Sequence, residues 1–217
     1  DFAVLFRGNH QSRPLEKALQ LLRIPYHLAG GTAFLDRGEV KDTLAWLRLV
    51  ANPDDDAAFL RAVTSPKREI GSTTLAKLGE LAGQRHESLL KAAERNDVLK
   101  VLPARPAAAL DGFVQLIRRF RQLSNALPAA DLCRKLIEDS GLLAEVRATS
   151  RDDSLFQRRR GNLEELAGWL EAARGGGGPG ELAAQLALLS HADRDDPGES
   201  VRLMSLHGSK GLEFRYV

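Results

Sequence analysis

The C-terminal stretch VRLMSLHGSKGLEFRYV, residues 201–217, gives the clearest indication of how this chain folds. Apolar residues dominate positions 201–206, and the run breaks at His207, where a segment with two glycines begins. This pattern predicts a short buried strand followed by a tight turn. Glycines let backbone amides approach a phosphate or a sugar, and His207 and Glu213 would add charge and hydrogen bonds there. The same pattern also fits a plain connection between a strand and a helix, so the residues alone leave both interpretations open.

The N-terminal end predicts a second piece of the same kind. Residues 3–7 predict a buried strand, and residues 26–28 predict a short extended piece. Between them, a helix ending before Pro25 would turn one apolar face inward, formed by Leu15, Ala18, Leu19 and Leu22. A strand, a helix and a strand make an α/β fragment and not a complete domain.

The middle of the chain is predicted to be helical, because apolar residues recur at helical spacing from Glu39 onward. Asp54 or Asp55 is the expected N-terminal cap of one of these helices, and Ser72 or Thr73 the cap of the next. The two α/β ends therefore bracket a helical insertion, and we expect these ends to meet in space. The predicted fold class is mainly α, with α/β fragments at both ends.

The composition excludes several classes of protein. The 217 residues include 43% apolar residues, enough for a packed core, and the net charge is only +2, so any nucleic-acid surface must be local. The one cysteine, Cys133, excludes an internal disulfide and a cysteine-rich metal site, and its helical pattern predicts that it is buried. The five histidines lack metal-ligand spacing. No apolar run approaches the roughly 18 residues of a membrane span, so we expect no membrane contact.

Three blocks of sequence carry a resemblance to a known family. SLHGSKGLEF, within residues 201–217, resembles the T-x-H-x-x-K-G-L-E-F motif of the UvrD/PcrA/Rep superfamily 1 helicases. AVLFRGNHQSRPLEKAL, residues 3–19, followed by IPYHLAGGTAF and RGEVKD, resembles a second block of those proteins. NPDDDAAFLRAVTSPKREIG, residues 52–71, is similar to a third block, above all in the Rep-type members. Residues from 85 to 198 fit only through their helical pattern.

The resemblance implies a domain organisation and an activity. It predicts residues 1–48 as the N-terminal part of a RecA-like α/β domain called 2A, residues 49–198 as a helical domain called 2B, and residues 199–217 as the return into 2A. We expect this chain to be a piece of a longer protein, which we call the parent. The parent would be an ATP-dependent 3′-to-5′ DNA helicase of replication and repair. The helical domain would contact duplex DNA and regulate unwinding.

Four residues are candidates for binding single-stranded DNA. The resemblance implies that Arg7, Asn9, Ser205 and His207 contact its backbone in the parent. Taken alone, Arg7 is also the kind of solvated charge that often ends a strand. Ser205 replaces the threonine that is usual in the family, and because a hydroxyl remains, we expect the contact to be kept.

The same C-terminal loop is the expected ATP contact. The resemblance implies that Glu213 binds the ribose and that Gly211 shapes the loop, whereas Lys210 could have either a structural or a binding role. The chain contains no G-x-x-x-x-G-K-[ST] phosphate loop and no acidic pair after a strand for Mg²⁺. ATP and Mg²⁺ are therefore expected only in the parent, and this chain alone should bind neither tightly nor hydrolyse ATP.

A helix-turn-helix segment around residues 64–74 is the candidate duplex contact. A turn at Ile70 and Gly71 before a helix would present free amides and a positive dipole end, and Lys67 and Arg68 would add charge. The alternative is a simple corner between two helices. In the family this turn reads G-I-G and grips the duplex.

Two further positions bear on that duplex contact. Glu69 stands where most of the family has glycine, and it would add a negative charge facing phosphate; Rep-type members resemble this chain there. Lys41 matches a second lysine of the family that contacts the duplex. The arginine runs at 118–121 and 158–160 are instead predicted to be solvated helix faces, and both tryptophans are predicted core residues.

The expected partners are single-stranded DNA and duplex or forked DNA, with replisome proteins as further candidates and a cytoplasmic, nucleoid-associated location. A rival hypothesis makes the helical part a non-enzymatic protein-interaction or regulatory module. A relationship to nuclease-helicases is disfavoured because the sequence has no nuclease carboxylate cluster.

Overall fold

The computed structural model describes residues 2–8, 11–22, 24–29, 33–172, 182 and 200–217. Helices make up most of this part of the chain, and three strands form one small sheet. The elements in order are β1 Ala3–Phe6, α1 Ser12–Leu21, β2 Tyr26–Ala29, a 3₁₀ turn Phe34–Asp36, α2 Gly38–Ala51, α3 Asp56–Thr64, α4 Ser72–Arg85, α5 Leu89–Ala93, α6 Asn96–Leu99, α7 Ala104–Leu123, α8 Ala129–Asp139, α9 Leu142–Ala148, α10 Asp153–Ala172 and β3 Val201–Ser205.

The sheet joins the two ends of the chain, as predicted. All pairings are parallel, and β3 lies between β1 and β2. In this register Phe6 is opposite Ser205, and Ala29 is opposite Met204. Parallel strands require long connections between them, and here the connection into β3 contains the whole helical part. The mainly α class with an α/β portion is therefore confirmed.

A small apolar cluster belongs to the sheet. Its buried members are Phe6, Tyr26 and Leu203, and Leu15 and Leu19 of α1 pack against it. The prediction for the inward face of α1 is only partly right, because Ala18 and Leu22 are exposed. The fully buried face of α1 is polar instead, formed by Ser12, Glu16 and Gln20.

Glu16 explains that polar face. Its carboxylate accepts hydrogen bonds from the backbone N–H of Phe34 at 2.8 Å, from the Ser12 hydroxyl at 2.8 Å and from the Tyr26 hydroxyl at 3.4 Å. Burying a carboxylate is tolerated when it is hydrogen-bonded in this way. The inward side of α1 is thus tied to the 3₁₀ turn by polar contacts.

A second, larger apolar cluster fills the helical part. The Trp46 ring lies edge-on to Phe113, with centroids 5.1 Å apart, and Phe59 meets the same Phe113 ring at 5.6 Å. Such edge-to-face pairs add to the stabilisation from burial. Trp46 and Trp169 are both buried, which confirms them as core residues, and Cys133 is buried as predicted.

Helix caps agree with one of two predictions. Asp55 caps α3, because its carboxylate accepts a hydrogen bond from the Ala58 N–H at 2.9 Å. For α4 the cap is Gly71, whereas Ser72 already belongs to the helix and makes no side-chain cap. The prediction of Ser72 or Thr73 as that cap is wrong.

A polar network connects α1 to α10. The Asn162 side-chain oxygen accepts hydrogen bonds from Arg13 and from Arg37, each at 2.7 Å, and its amide nitrogen donates to Glu39 at 2.6 Å. Arg13 also pairs with Glu165 at 2.9 Å. Burial, and next the neighbouring Arg13 charge, lower the pKa of Arg37. The network therefore joins the sheet-bearing end of the chain to the helical part through charges.

Arg159 also belongs to this network. It donates to the Glu39 carboxylate at 3.1 Å and to the Thr149 hydroxyl at 2.9 Å, and it is half-buried. The prediction that the run at 158–160 is a solvated face is wrong for its central residue, whereas Arg158 and Arg160 are exposed. Because an α-helix turns once about every 3.6 residues, three consecutive residues point in different directions, so a run of three charges need not share one environment.

The expected domain boundary between residues 48 and 49 lies inside the continuous helix α2. Phe34 and Leu35 already pack in the larger apolar cluster, whereas β2 belongs to the smaller one. Packing therefore changes between β2 and the 3₁₀ turn. Among the described helices, none is long and apolar enough to cross a membrane.

Candidate nucleic-acid interface

The carboxyl edge of the sheet brings together residues from both ends of the chain. Strands β1 and β3 end side by side, and the Leu206 N–H donates to the Phe6 carbonyl at 2.9 Å. Arg7 directly follows β1, and His207 lies two residues beyond Ser205 at the end of β3; Arg7 and His207 are exposed. Ligands of open α/β sheets bind outside this carboxyl edge. Three of the four residues assigned to single-stranded DNA thus lie at one edge.

The turns at this edge are held by side-chain hydrogen bonds. The Gln11 side chain accepts from the Arg7 N–H at 3.0 Å, a contact that sequence analysis did not predict. The Ser205 hydroxyl accepts from the Gly208 N–H at 3.1 Å, so its own proton remains available to a ligand. Asn9, the fourth predicted DNA contact, lies outside the described residues.

The ATP-contact loop continues from the same edge. Gly211 has a φ of +83°, a conformation that favours glycine, so the loop needs glycine there. Glu213 is exposed, and in the described part of the chain its carboxylate has no partner. Such a carboxylate can accept both hydroxyls of a ribose. The ranges that the structure covers contain no group of acidic, histidine or cysteine residues able to hold a metal ion.

The second candidate surface is the N-terminus of α4. Gly71 is exposed, no side chain caps the helix, and no described residue accepts the first-turn amides of Ser72 and Thr73. Lys67 is exposed and forms no ion pair within the described ranges. A free helix N-terminus carries a partial positive charge, to which Lys67 adds a full one. Ile70 is buried in the larger apolar cluster, so only its backbone can face a ligand.

Glu69 takes a left-handed conformation, with φ at +58°. Glycine adopts this conformation without strain, which gives a physical reason for glycine at this position of the turn. The Glu69 carboxylate is held by both Nε and Nη2 of Arg105, at 2.6 and 2.5 Å. The extra negative charge expected from the sequence is therefore paired. No sequence signal marked Arg105, which lies in the first turn of α7, far along the chain.

Arg68 does not face outward as predicted. Its guanidinium lies over the rings of Trp46 and Phe113, and it donates to three backbone carbonyls, those of Ala62, Pro66 and Ser140. Burial lowers its pKa to about 10. The side chain is occupied in fixing the turn between α3 and α4 onto the end of α8, so we leave Arg68 out of the candidate DNA surface.

Lys41 lies beside the segment that leads to the turn. Its ammonium pairs with Asp36 and is half-buried. The next residue, Asp42, accepts a hydrogen bond from the Ser65 hydroxyl at 2.7 Å, which ties the start of α2 to the end of α3. Lys41 and Lys67 thus flank connected segments, although no direct contact joins them among the described residues.

Comparison with known proteins identifies the family. Residues 1–217 match the UvrD-like helicase C-terminal domain. The chain is 41% identical to the ATP-dependent DNA helicase Rep of Escherichia coli (strain K12) over 226 residues. This alignment covers 100% of this chain and 33% of that protein. It is 37% identical to DNA helicase II of the same strain, over 99% of this chain and 31% of that protein. It is 35% identical to the ATP-dependent DNA helicase PcrA of Bacillus subtilis (strain 168), over 100% of this chain and 30% of that protein.

The chain thus spans about a third of the length of these curated relatives. Identity is higher with the Rep protein than with the other two, in agreement with the Rep-type block at residues 52–71. The family predicted from the three sequence blocks is confirmed. Because the match extends over residues 1–217, the chain belongs to the UvrD-like helicase family.

Proposed function

We propose that the chain is part of an ATP-dependent DNA helicase of the Rep kind that moves 3′ to 5′ and unwinds duplex DNA. The observation that carries this proposal is the family match over the whole chain, together with relatives named as DNA helicases at 35–41% identity. Since the chain has no phosphate loop of its own, the parent must supply that loop from outside these residues.

The carboxyl edge of the sheet is the proposed track for single-stranded DNA. Arg7 offers a guanidinium that can pair with phosphate oxygens, and His207 and Ser205 offer shorter polar groups next to it. Their placement at the ends of two hydrogen-bonded strands supports this role, because the strand positions hold them in a fixed relation. Asn9 follows Arg7 by two residues and is assigned to the same track.

The free end of α4 is the proposed duplex contact, with Lys67 and Lys41 as the accompanying charges. The first-turn amides beside Gly71 can donate to a phosphate, and this contact needs no base. The helical part, proposed as domain 2B, would in this way meet the duplex and regulate its unwinding. Ile70 contributes by holding the turn in the core.

Glu213, with Gly211 shaping its loop, is the proposed ribose contact for ATP, and Mg²⁺ would be bound by other parts of the parent. We propose a cytoplasmic protein near the nucleoid, with single-stranded and forked DNA as partners and replisome proteins as further ones. The chain alone should not hydrolyse ATP. Phosphate release with single-stranded DNA above about 0.1 per second, a tenth of the low end of ordinary enzyme rates, would contradict this.

Fluorescence anisotropy with labelled forked DNA tests the duplex contact. Few phosphate contacts predict a Kd on the order of 10⁻⁴–10⁻⁶ M at physiological salt. The double variant Lys67→Ala and Gly71→Thr should weaken binding, because it removes one charge and the threonine hydroxyl would cap the amides itself. A Cβ at position 71 would meet only the Thr73 hydroxyl at 4.0 Å, an ordinary van der Waals contact, so the fold should be kept. Unchanged binding would favour the alternative, a protein-interaction or regulatory module.

A further inference from the structure

The ion pair between Glu69 and Arg105 lies in water at the edge of the α4 turn. The Arg105 side chain is 80% exposed and that of Glu69 is 56% exposed. Pairs this exposed contribute little to the stability of a fold. The two-pronged geometry, with contacts at 2.6 and 2.5 Å, nevertheless fixes the direction of the carboxylate. The pair therefore matters mainly because it sets the charge of this surface and the direction in which the Glu69 carboxylate points.

The position of the carboxylate makes that charge important. Glu69 precedes Gly71 by two residues, and Gly71 caps the helix whose free amides we assign to a DNA phosphate. An unpaired carboxylate there would repel the same phosphate. In general, two like charges held about 7 Å apart in water weaken an association about threefold.

We propose that Arg105 is a positioning residue of the duplex-contacting turn: it neutralises Glu69 and holds its carboxylate aside, so that the end of α4 can meet a phosphate. This inference rests on the duplex contact proposed above. Arg105 acts through Glu69 and not by its own contact with DNA. The chain thereby combines a glutamate at a glycine-favouring position with a surface that still accepts a polyanion.

Anisotropy of a short labelled duplex, titrated with the chain at two salt concentrations, measures the effect. Arg105→Ala should raise the Kd about three- to tenfold. The lower figure is the effect of losing one charge, and the higher figure applies when the released Glu69 carboxylate also moves closer to the phosphate. Arg105→Lys should recover part of the affinity, because lysine restores the positive charge but cannot hold the carboxylate through two parallel N–H donors as the guanidinium does. The thermal unfolding midpoints of both variants should stay close to that of the unchanged chain, because the ion pair is exposed.

A matched control uses Arg95, which pairs with Asp97 and with Glu87 just beyond the other end of α4. Arg95→Ala removes the same charge, but from about 20 Å away, the length of the 14-residue helix α4. At 0.1 M salt that separation exceeds the screening length of about 10 Å. The Kd should therefore change less than with Arg105→Ala, and an equal change would show that only net charge matters and overturn the proposal.

The decisive arm is a double-mutant cycle with Glu69→Gln. In the Glu69→Gln background there is no carboxylate to hold aside, so adding Arg105→Ala should raise the Kd less than it does when Glu69 is present, by at most the roughly threefold effect of removing one nearby charge. An equal loss of affinity in both backgrounds would show that Arg105 acts through its own charge or its own contact with DNA and not through Glu69, and no loss in either would show that it has no role; both outcomes overturn the proposal. The Lys67→Ala and Gly71→Thr variant tests the duplex contact separately, so the two failures can be told apart.

Discussion

The guanidinium carbon of Arg68 lies 4.7 Å from the centroid of the Trp46 ring, at the point where the turn before α4 meets the helical core. The Trp46 indole N–H donates to the Ser65 carbonyl at 2.7 Å on the same side. Arg68 also reaches the Ser140 carbonyl at the end of α8, at 2.8 Å. One arginine and one tryptophan thus fasten the candidate duplex surface to two helices that are distant in sequence.

Arg68→Ala should therefore destabilise the chain strongly. It removes hydrogen bonds from a charged group and a cation–π contact and leaves carbonyls unpaired, which together cost about 2–4 kcal/mol of unfolding free energy. Urea denaturation followed by circular dichroism measures it. The neighbouring exposed residue gives the control: Lys67→Ala should cost less than about 0.5 kcal/mol. Equal, small losses would mean that Arg68 is a solvated charge after all.

Asn162 should be another position where a small change costs much. Its oxygen accepts from Arg13 and Arg37, and its nitrogen donates to Glu39. Asn162→Leu would leave these partly buried charges without their shared partner, so we expect a loss of about 3 kcal/mol. Asn125→Leu is the comparison, because Asn125 is exposed and its side chain donates to one backbone carbonyl, that of Arg121. Similar denaturation midpoints for both variants would contradict the prediction.

The backbone at Glu69 predicts an unusual order of stabilities. Glu69→Ala and Glu69→Gly both lose the Arg105 pair, so their difference isolates the left-handed φ of +58°. Glycine should be more stable than alanine there by about 1 kcal/mol. At Glu80, an exposed position inside α4, the order should reverse by a similar amount. Thermal unfolding of the four variants checks both orders, and alanine at least as stable as glycine at position 69 would rule out the strain.

The parts of this fold that sequence patterns could predict are those with local causes. Apolar periodicity placed Trp46 and Cys133 in helices with buried faces, and the run before His207 predicted β3. The Asp55 cap followed from one side chain and the helix that starts beside it. Each of these features depends on residues within one or two helical turns of each other.

The parts that could not be predicted depend on distant partners. Arg68 bonds to a residue 72 positions away, and Arg159 to Glu39 at a separation of 120 positions. In the sequence, each of these arginines has the same appearance as a solvated one. The polar part of the inward face of α1 escapes prediction for the same reason, because the buried Glu16 carboxylate accepts from the Tyr26 hydroxyl and from a backbone N–H of the later 3₁₀ turn. Charged residues in a core are revealed by their partners and not by periodicity.

Cys133 predicts a dependence of stability on pH. Burial raises the pKa of this thiol from 9.0 to about 12. In the unfolded chain the thiol loses its proton near pH 9, whereas in the folded chain it keeps it, so the stabilisation is complete below pH 9 and is lost as the pH rises toward 12. The slope is at most about 1.4 kcal/mol per pH unit. Between pH 8 and pH 10.5, the Cys133→Ala variant should lose less unfolding free energy than the unchanged chain, as measured by denaturation at both pH values.

The same cysteine offers a check that does not depend on pH. A buried thiol with a raised pKa reacts slowly, because the thiolate is the nucleophile. A thiol reagent should label Cys133 only in denaturant, with labelling that follows the unfolding transition. Rapid labelling of the native chain would show that the thiol is accessible and that its pKa is not raised.

The two proposed surfaces should behave differently when each is changed in the proposed full-length helicase. His207 is assigned to the single-stranded track at the sheet edge, and Gly71 to the duplex contact at α4. A motor pulls on the strand along which it moves, so His207→Ala should lower both the ATPase rate stimulated by single-stranded DNA and unwinding, by about tenfold if one contact of about 1.4 kcal/mol is lost. Gly71→Thr leaves the track intact, so it should keep the stimulated ATPase rate while unwinding changes. Unwinding can change in either direction, because a duplex contact can restrain as well as assist.

Paired assays on the full-length protein decide this division of labour. Unwinding of a forked substrate and ATPase stimulated by single-stranded DNA are measured for each variant under the same salt, because phosphate contacts weaken as salt rises. His27→Ala is the control for the loss of an exposed histidine, since His27 lies within β2 and not at the carboxyl edge of the sheet. It should change neither activity. If the Gly71 and His207 variants lose stimulated ATPase in parallel, both surfaces serve the motor step and the assignment of α4 to the duplex alone is wrong.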